Sequence, residues 1–202
     1  MAITNLSTSS LVSGVKRRRV WDQTATTDGF FQIATTTLNV AASSITFSSI
    51  PQDYTHLQLR SFSQDARGTY GITETRITFN SDSSAVYARH QLVGDGSTVF
   101  SDGATGGQYM ILGDGTFGTT TGGTFGVGIA DILDYTNTNK FKTVRQISGV
   151  DINGTIAGYG GRAGLSSGVW RSTSAISSIT LTSHSVVNFS ANSSFALYGV
   201  KA

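Results

Sequence analysis

The chain of 202 residues contains no cysteine, one proline, one glutamate and four lysines, and only 13% of its residues are charged. Zero cysteines exclude a disulfide framework, thiolate metal sites and thiol catalysis. The scarcity of Glu and Lys goes with the absence of any stretch where apolar residues recur at i, i+3, i+4 and i+7 between caps, which removes the material of amphipathic helices. No run approaches the roughly 18 apolar residues of a membrane-spanning helix, so no membrane partner is expected. The first ten residues, Met1 to Ser10, lack the charged and apolar blocks of a secretory signal. The expectation is a soluble protein made in a cytosol, long enough to bury a core without staples and short enough for one domain or two small ones.

Hydroxyls and glycine fill the space instead. Ser and Thr occupy about 55 positions and Gly occupies 24. Thr, Val, Ile, Phe and Tyr recur in short alternating stretches broken by Gly, Asn and Asp, as half-buried antiparallel strands do. Period two predicts strands at 31–38, 44–49, 56–62, 76–80, 86–93, 108–112, 125–133, 142–148, 164–170, 176–182 and 194–200. In 56–62, Leu57 and Leu59 fall on one face and His56, Gln58 and Arg60 on the other; Pro51 closes the second strand because it cannot donate to a ladder. This predicts an all-β fold, an antiparallel two-sheet sandwich with a jelly-roll-like head. A parallel β-helix competes, but the one internal echo is Ser43–Phe47 in Ser177–Leu181. Two zones rich in Gly and Asp-Gly pairs, 94–107 and 113–124, are expected to form long exposed loops at one end.

The net charge of +2 has one source. Residues 1–30 carry Lys16, Arg17, Arg18 and Arg19 against Asp22 and Asp28, and residues 31–202 carry ten basic side chains against ten acidic. The division predicts an extended basic N-terminal arm over 1–30 and a neutral β-sandwich head over 31–202. A neutral head lacks the footprint of a nucleic-acid-binding domain. The arm is polar with scattered Ile3, Leu6, Leu11, Val12, Val15, Val20 and Trp21, and alone it cannot bury enough surface to offset its ordering entropy.

The residues able to do chemistry also have structural readings. His56, His90 and His184 lie among so many hydroxyls that adjacency carries no signal, and no Gly-x-Ser-x-Gly elbow is present. Glycoside hydrolysis needs paired carboxylates; Glu74 is the single Glu, and Asp131 and Asp134, three apart on one predicted strand, fall on opposite faces. Asn80-Ser-Asp82-Ser-Ser84 matches the opening of a calcium loop, but Ala85 and Gln91 stand where Gly and Glu are wanted, so a plain turn is preferred. The Gly-Asp-Gly segments could offer oxygens to a cation but are equally turn chemistry, and no phosphate loop is present. Tyr70, Tyr109, Phe117 and Tyr159 could stack on sugar rings or cover a sandwich rim. No catalytic residue, cofactor or metal ligand is assigned. Lys16, Arg17, Arg18 and Arg19 with Trp21 are the candidate partner-docking residues, the alternatives being nucleic-acid contact, a nuclear address or a solvated run.

Several phrases carry a family likeness: Ala2-Ile-Thr-Asn-Leu-Ser7, Ile45 to Arg60, Ile77-Thr-Phe-Asn-Ser-Asp82, Asp131 to Lys140, Ser174 to Leu181 and Ser194 to Val200. With them the chain resembles virion structural proteins of tailed bacteriophages, notably those of cyanobacterial and other aquatic hosts. The resemblance implies a non-enzymatic role in the virion, with the major capsid protein or other virion subunits as partners and a homo-oligomer, a trimer by analogy. The leading expectation is a capsid decoration (cement) protein whose arm docks on capsid or neighbouring subunits. The alternative is a tail-fibre or receptor-binding module whose Gly-Asp-Gly loops contact a host glycan, and a polysaccharide hydrolase comes third.

Overall fold

The computed structural model describes residues 29–67, 72–117, 123–151, 160–184 and 187–201. Lys16, Arg17, Arg18, Arg19 and Trp21 lie outside them, as do Tyr70 and Tyr159. Twelve strands form: β1 Gly29–Thr37, β2 Ser44–Phe47, β3 His56–Ser63, β4 Ile72–Phe79, β5 Tyr87–Gly94, β6 Val99–Gly107, β7 Met110–Phe117, β8 Gly126–Leu133, β9 Lys142–Asp151, β10 Gly161–Trp170, β11 Ile179–Ser183 and β12 Ser194–Lys201. They make two antiparallel sheets in a sandwich-like arrangement, one of eight strands in the order β1-β12-β3-β8-β9-β10-β5-β6 and one of four in the order β2-β11-β4-β7. The all-β expectation is met, and eleven of the strands were visible in the sequence. Gly29 and Phe30, assigned above to the arm, are the first residues of β1.

The turn-rich zones differ from expectation. Ser101–Gly107 belongs to β6 and Gly113–Phe117 to β7, so neither zone is one long loop. Strand propensity is low in Ser101-Asp-Gly-Ala-Thr-Gly-Gly107, but β6 is a sheet edge whose side chains are nearly all exposed. Its order comes from backbone pairing with β5 rather than from side-chain burial. The true turn is 95–98, where the Asp95 N–H donates to the Thr98 carbonyl at 3.1 Å and Gly96 takes φ +90°.

The inner faces follow period two. Leu57, Leu59, Ile132, Val144, Trp170, Tyr87, Phe195 and Leu197 of the large sheet meet Phe47, Ile179, Leu181, Ile77, Phe79 and Met110 of the small one, all buried. Burying each large side chain stabilises by about 1.5–3 kcal/mol. At one end three rings pack together: Phe79 and Trp170 at 5.6 Å, Tyr87 and Trp170 at 6.5 Å, Phe79 and Tyr87 at 6.3 Å. Toward the other end the interior turns polar, with Gln146, Ser148, Ser166, Thr75 and Ser183 buried. At the ring end, beside Trp170, Lys142 is also fully buried. Its ammonium donates to the carbonyls of Asn137, Lys140 and Thr173, binding two loops together, while burial pushes its pKa down.

Two strand glycines mark close approaches. A Cβ on Gly168 would collide with the Met110 side chain, and one on Gly199 would enter the Tyr54 ring. Both positions lie in strands, and the missing side chain is the space the neighbour fills. Gly168→Val and Gly199→Val are each expected to destabilise by about 1–3 kcal/mol through overpacking, read as a lower urea midpoint. An unchanged midpoint would contradict the packing described.

Candidate functional site on the outer face of the large sheet

The small sheet covers one face of the large sheet, and the opposite face is the surface on which candidate function concentrates. Strand alternation and register fix what it displays. On β8, β9, β10 and β5 the outward residues Ile129, Ile147, Leu165 and Leu92 stand directly opposite one another in register. They form a cross-strand apolar ladder in which each side chain is between 47% and 65% exposed. Such adjacent pairs on one face are the unit that stabilises a sheet. Here they also raise a continuous ridge.

Two residues further along each strand lies a second row: Val127, Gly149, Ala163, Gly94 and, on β6, Val99. Its centre has almost no side chain. The result is a shallow trough of about 570 Å³, bounded by Phe125 and Val127 toward β8 and by Asp95 and Gly96 at the β5–β6 turn. Phe62 extends the row onto β3 and stacks on Phe125 at 4.8 Å.

On the other side of the ridge the row is polar: Gln58, Asp131, Arg145, Ser167, His90 and Gly103. Gln58 donates to Asp131 at 2.9 Å, and Arg145 pairs with the same carboxylate at 3.1 Å. Toward β6 a second groove of about 620 Å³ opens between His90, Leu92, Leu165, Arg145 and Asp102. Arg60 closes the ladder on β3, its guanidinium 4.7 Å from the Tyr198 ring centre. The surface as a whole is a ridge between two grooves.

The other candidates resolve into structural roles. His56 Nδ1 accepts the Asp134 N–H at 2.9 Å, fixing the turn after β8, where Asp134 takes φ +49°. The Asp134 carboxylate accepts from Lys140 at 2.8 Å, and that bond holds its pKa below the usual carboxylate range. Asp131 and Asp134 therefore serve separate cations. His90 is exposed and leans over Gly103, where a Cβ would touch its ring. In the 95–98 turn the Asp95 carboxylate accepts the Thr98 and Ser97 N–H groups and the Thr98 hydroxyl, which lowers its pKa to about 2. Its acceptor capacity is directed inward at its own turn. Tyr109 lies under the Arg76 guanidinium, 4.0 Å from Cζ to ring centre, as a rim aromatic. Among the described residues no group of three or more His, Asp or Glu is placed to hold a metal ion.

Asn80–Ser84 is the corner that carries the chain from β4 in one sheet to β5 in the other. Asn80 and Ser81 take φ +52° and +57°, and the Asp82 N–H donates to the Phe79 carbonyl at 2.9 Å. The Asn80 carboxamide oxygen accepts from Ser177 and Ser178, and its amide donates to the Ala175 carbonyl at 2.8 Å. The Asp82 carboxylate accepts from Ser84 and, at 2.8 Å, from the Trp170 indole. Those donors, Ser84 foremost, hold its pKa below the usual carboxylate range. The oxygens that match the opening of a calcium loop are thus spent within the fold.

A carboxylate whose folded pKa is depressed stabilises above its unfolded pKa, and that contribution disappears as pH falls through the folded value. The melting temperature of the native chain is therefore expected to fall between about pH 4 and pH 2. Asp82→Asn should start lower at neutral pH and lose less across that window, and calcium should shift neither curve. A calcium-dependent rise in melting temperature would restore the metal reading. No protein-family model, curated protein or solved structure matches the chain.

Proposed function

We propose that this chain is a non-enzymatic structural subunit of a tailed-phage particle, a capsid decoration protein. In this reading the sandwich forms homo-oligomers on the shell, and the segment centred on Lys16, Arg17, Arg18, Arg19 and Trp21 docks on capsid or neighbouring subunits. The observation that carries it is the outer face of the large sheet. A half-exposed apolar ladder across four strands is what a protein keeps when another protein covers it. The likeness to virion proteins supplies the setting. A reducing cytosol suits a chain without cysteine.

The groove beside His90 favours a second reading. Leu92 and Leu165 form an apolar wall beside Arg145, Ser167 and Asp102, a mixture suited to a sugar ring with its hydroxyls, as a tail-fibre or receptor-binding module would need.

Copy number separates the two. Band intensity from purified particles is expected to show hundreds of copies for decoration, and a dozen or so would move the protein to the tail. A chain lacking residues 1–28 should keep its melting temperature and fail to join particles. Particle attachment by that truncated chain would remove the arm from the docking role.

A further inference from the structure

We infer that the outer face of the large sheet binds a second copy of this chain across a two-fold axis, the ridge of each copy filling the trough of the other. The inference rests on the homo-oligomer in the proposed function and supplies its contact surface.

The relief of the face is self-complementary. The ridge Ile129–Ile147–Leu165–Leu92 and the trough Gly149–Ala163–Gly94 are parallel rows separated by two residues, about 6.8 Å. A two-fold axis lying in the interface between these rows, perpendicular to the strands, exchanges them. It sets Ile147 of one copy over Gly149 of the other, Leu165 over Ala163, and Leu92 over Gly94. Closed two-fold pairing needs one patch that complements itself in this way. Twisted sheets packing face to face stay within about 30° of alignment, so the match holds best on the central strands β9 and β10.

The flanking rows also agree. The same axis brings exposed Arg145 of one copy, paired with Asp131 in its own chain, opposite exposed Asp151 of the other, because both lie three residues from the point on β9 where the axis crosses. The wall of the trough at β8 is the Phe62–Phe125 stack with Val127, and Val99 closes it at β6. Six strands at about 4.8 Å and four rows at about 6.8 Å give a footprint of about 29 Å by about 27 Å, roughly the 800 Å² per partner of a stable pair.

Sedimentation equilibrium of the full 202-residue chain tests this. The native chain is expected to be a dimer. Leu165→Arg and Ile147→Arg, at exposed positions, should raise the dissociation constant by about 30-fold or more while the circular dichroism spectrum of the folded chain is retained. Ala163→Leu is the discriminating variant, because it adds apolar surface and fills the trough. Ridge-in-trough packing predicts weaker pairing for it, whereas unspecific apolar contact predicts stronger. Thr46→Arg, on the outer face of the small sheet, should have no effect. A monomer at every concentration, a trimer, or tighter pairing by Ala163→Leu would overturn the inference. Chains that pair yet stay off particles would leave it standing and sink the decoration role; monomeric chains that join particles would do the reverse.

Discussion

The bond from the Trp170 indole to the Asp82 carboxylate is the constraint on which the arrangement of the sheets depends. Asp82 sits at the corner where the chain leaves the small sheet for the large one, and Trp170 ends β10, the strand that pairs with β5. The Tyr87 hydroxyl completes the clamp, accepting the Phe79 N–H and donating to the Asp82 carbonyl, each at 3.0 Å. Burial pushes that phenol up to about 12, so it remains a donor throughout the accessible pH range. Three rings and three polar groups thus lock β4, β5 and β10 together. With β5 fixed beside β10, β6 is added as the last strand, and the large sheet becomes twice as wide as the sheet that covers it.

Some of this was legible in the sequence. Leu57 with Leu59 and Ile77 with Phe79 announced their buried faces because large apolar residues alternate there with polar ones. The stretch 126–130 alternates large with small, and the natural reading buries the large members. The structure does the reverse: Gly126, Gly128 and Ala130 face inward while Val127 and Ile129 face out. The cause lies in the neighbouring strands. A Cβ on Gly128 would lie 2.8 Å from the Ser61 hydroxyl of β3, and Met110 of β7 fills the place of a Gly168 side chain. Small residues at 126, 128 and 130 therefore face inward, and Val127 and Ile129 lie on the solvent side. The outward placement of Val127 and Ile129 thus follows from packing between strands, which no local pattern reveals. Lys142 was hidden for a related reason: period two from Val144 puts it inside, but a lysine head there requires three carbonyls from two loops that only the fold assembles.

The edges and the outer face of the large sheet differ in what they would offer another chain. β1 has no charged residue and no proline, and β6 has Asp102 as its single charge, so composition alone leaves both edges open to strand addition. Geometry closes them. The ladder of β1 slips between Gln32 and Ala34, and the pairing of β5 with β6 slips between Tyr87 and Arg89, near Gly106 at φ +70°. Bulges of this kind bend an edge and break the regular run of donors and acceptors a further strand would need. The outer face carries no such disruption, since the register from β3 through β8, β9 and β10 to β5 is continuous over the ladder. Edge pairing would propagate without limit, whereas a ridge and trough exchanged by a two-fold axis satisfy each other and stop at two. On the two-fold pairing inferred above, blunted edges and a regular outer face would together keep association closed.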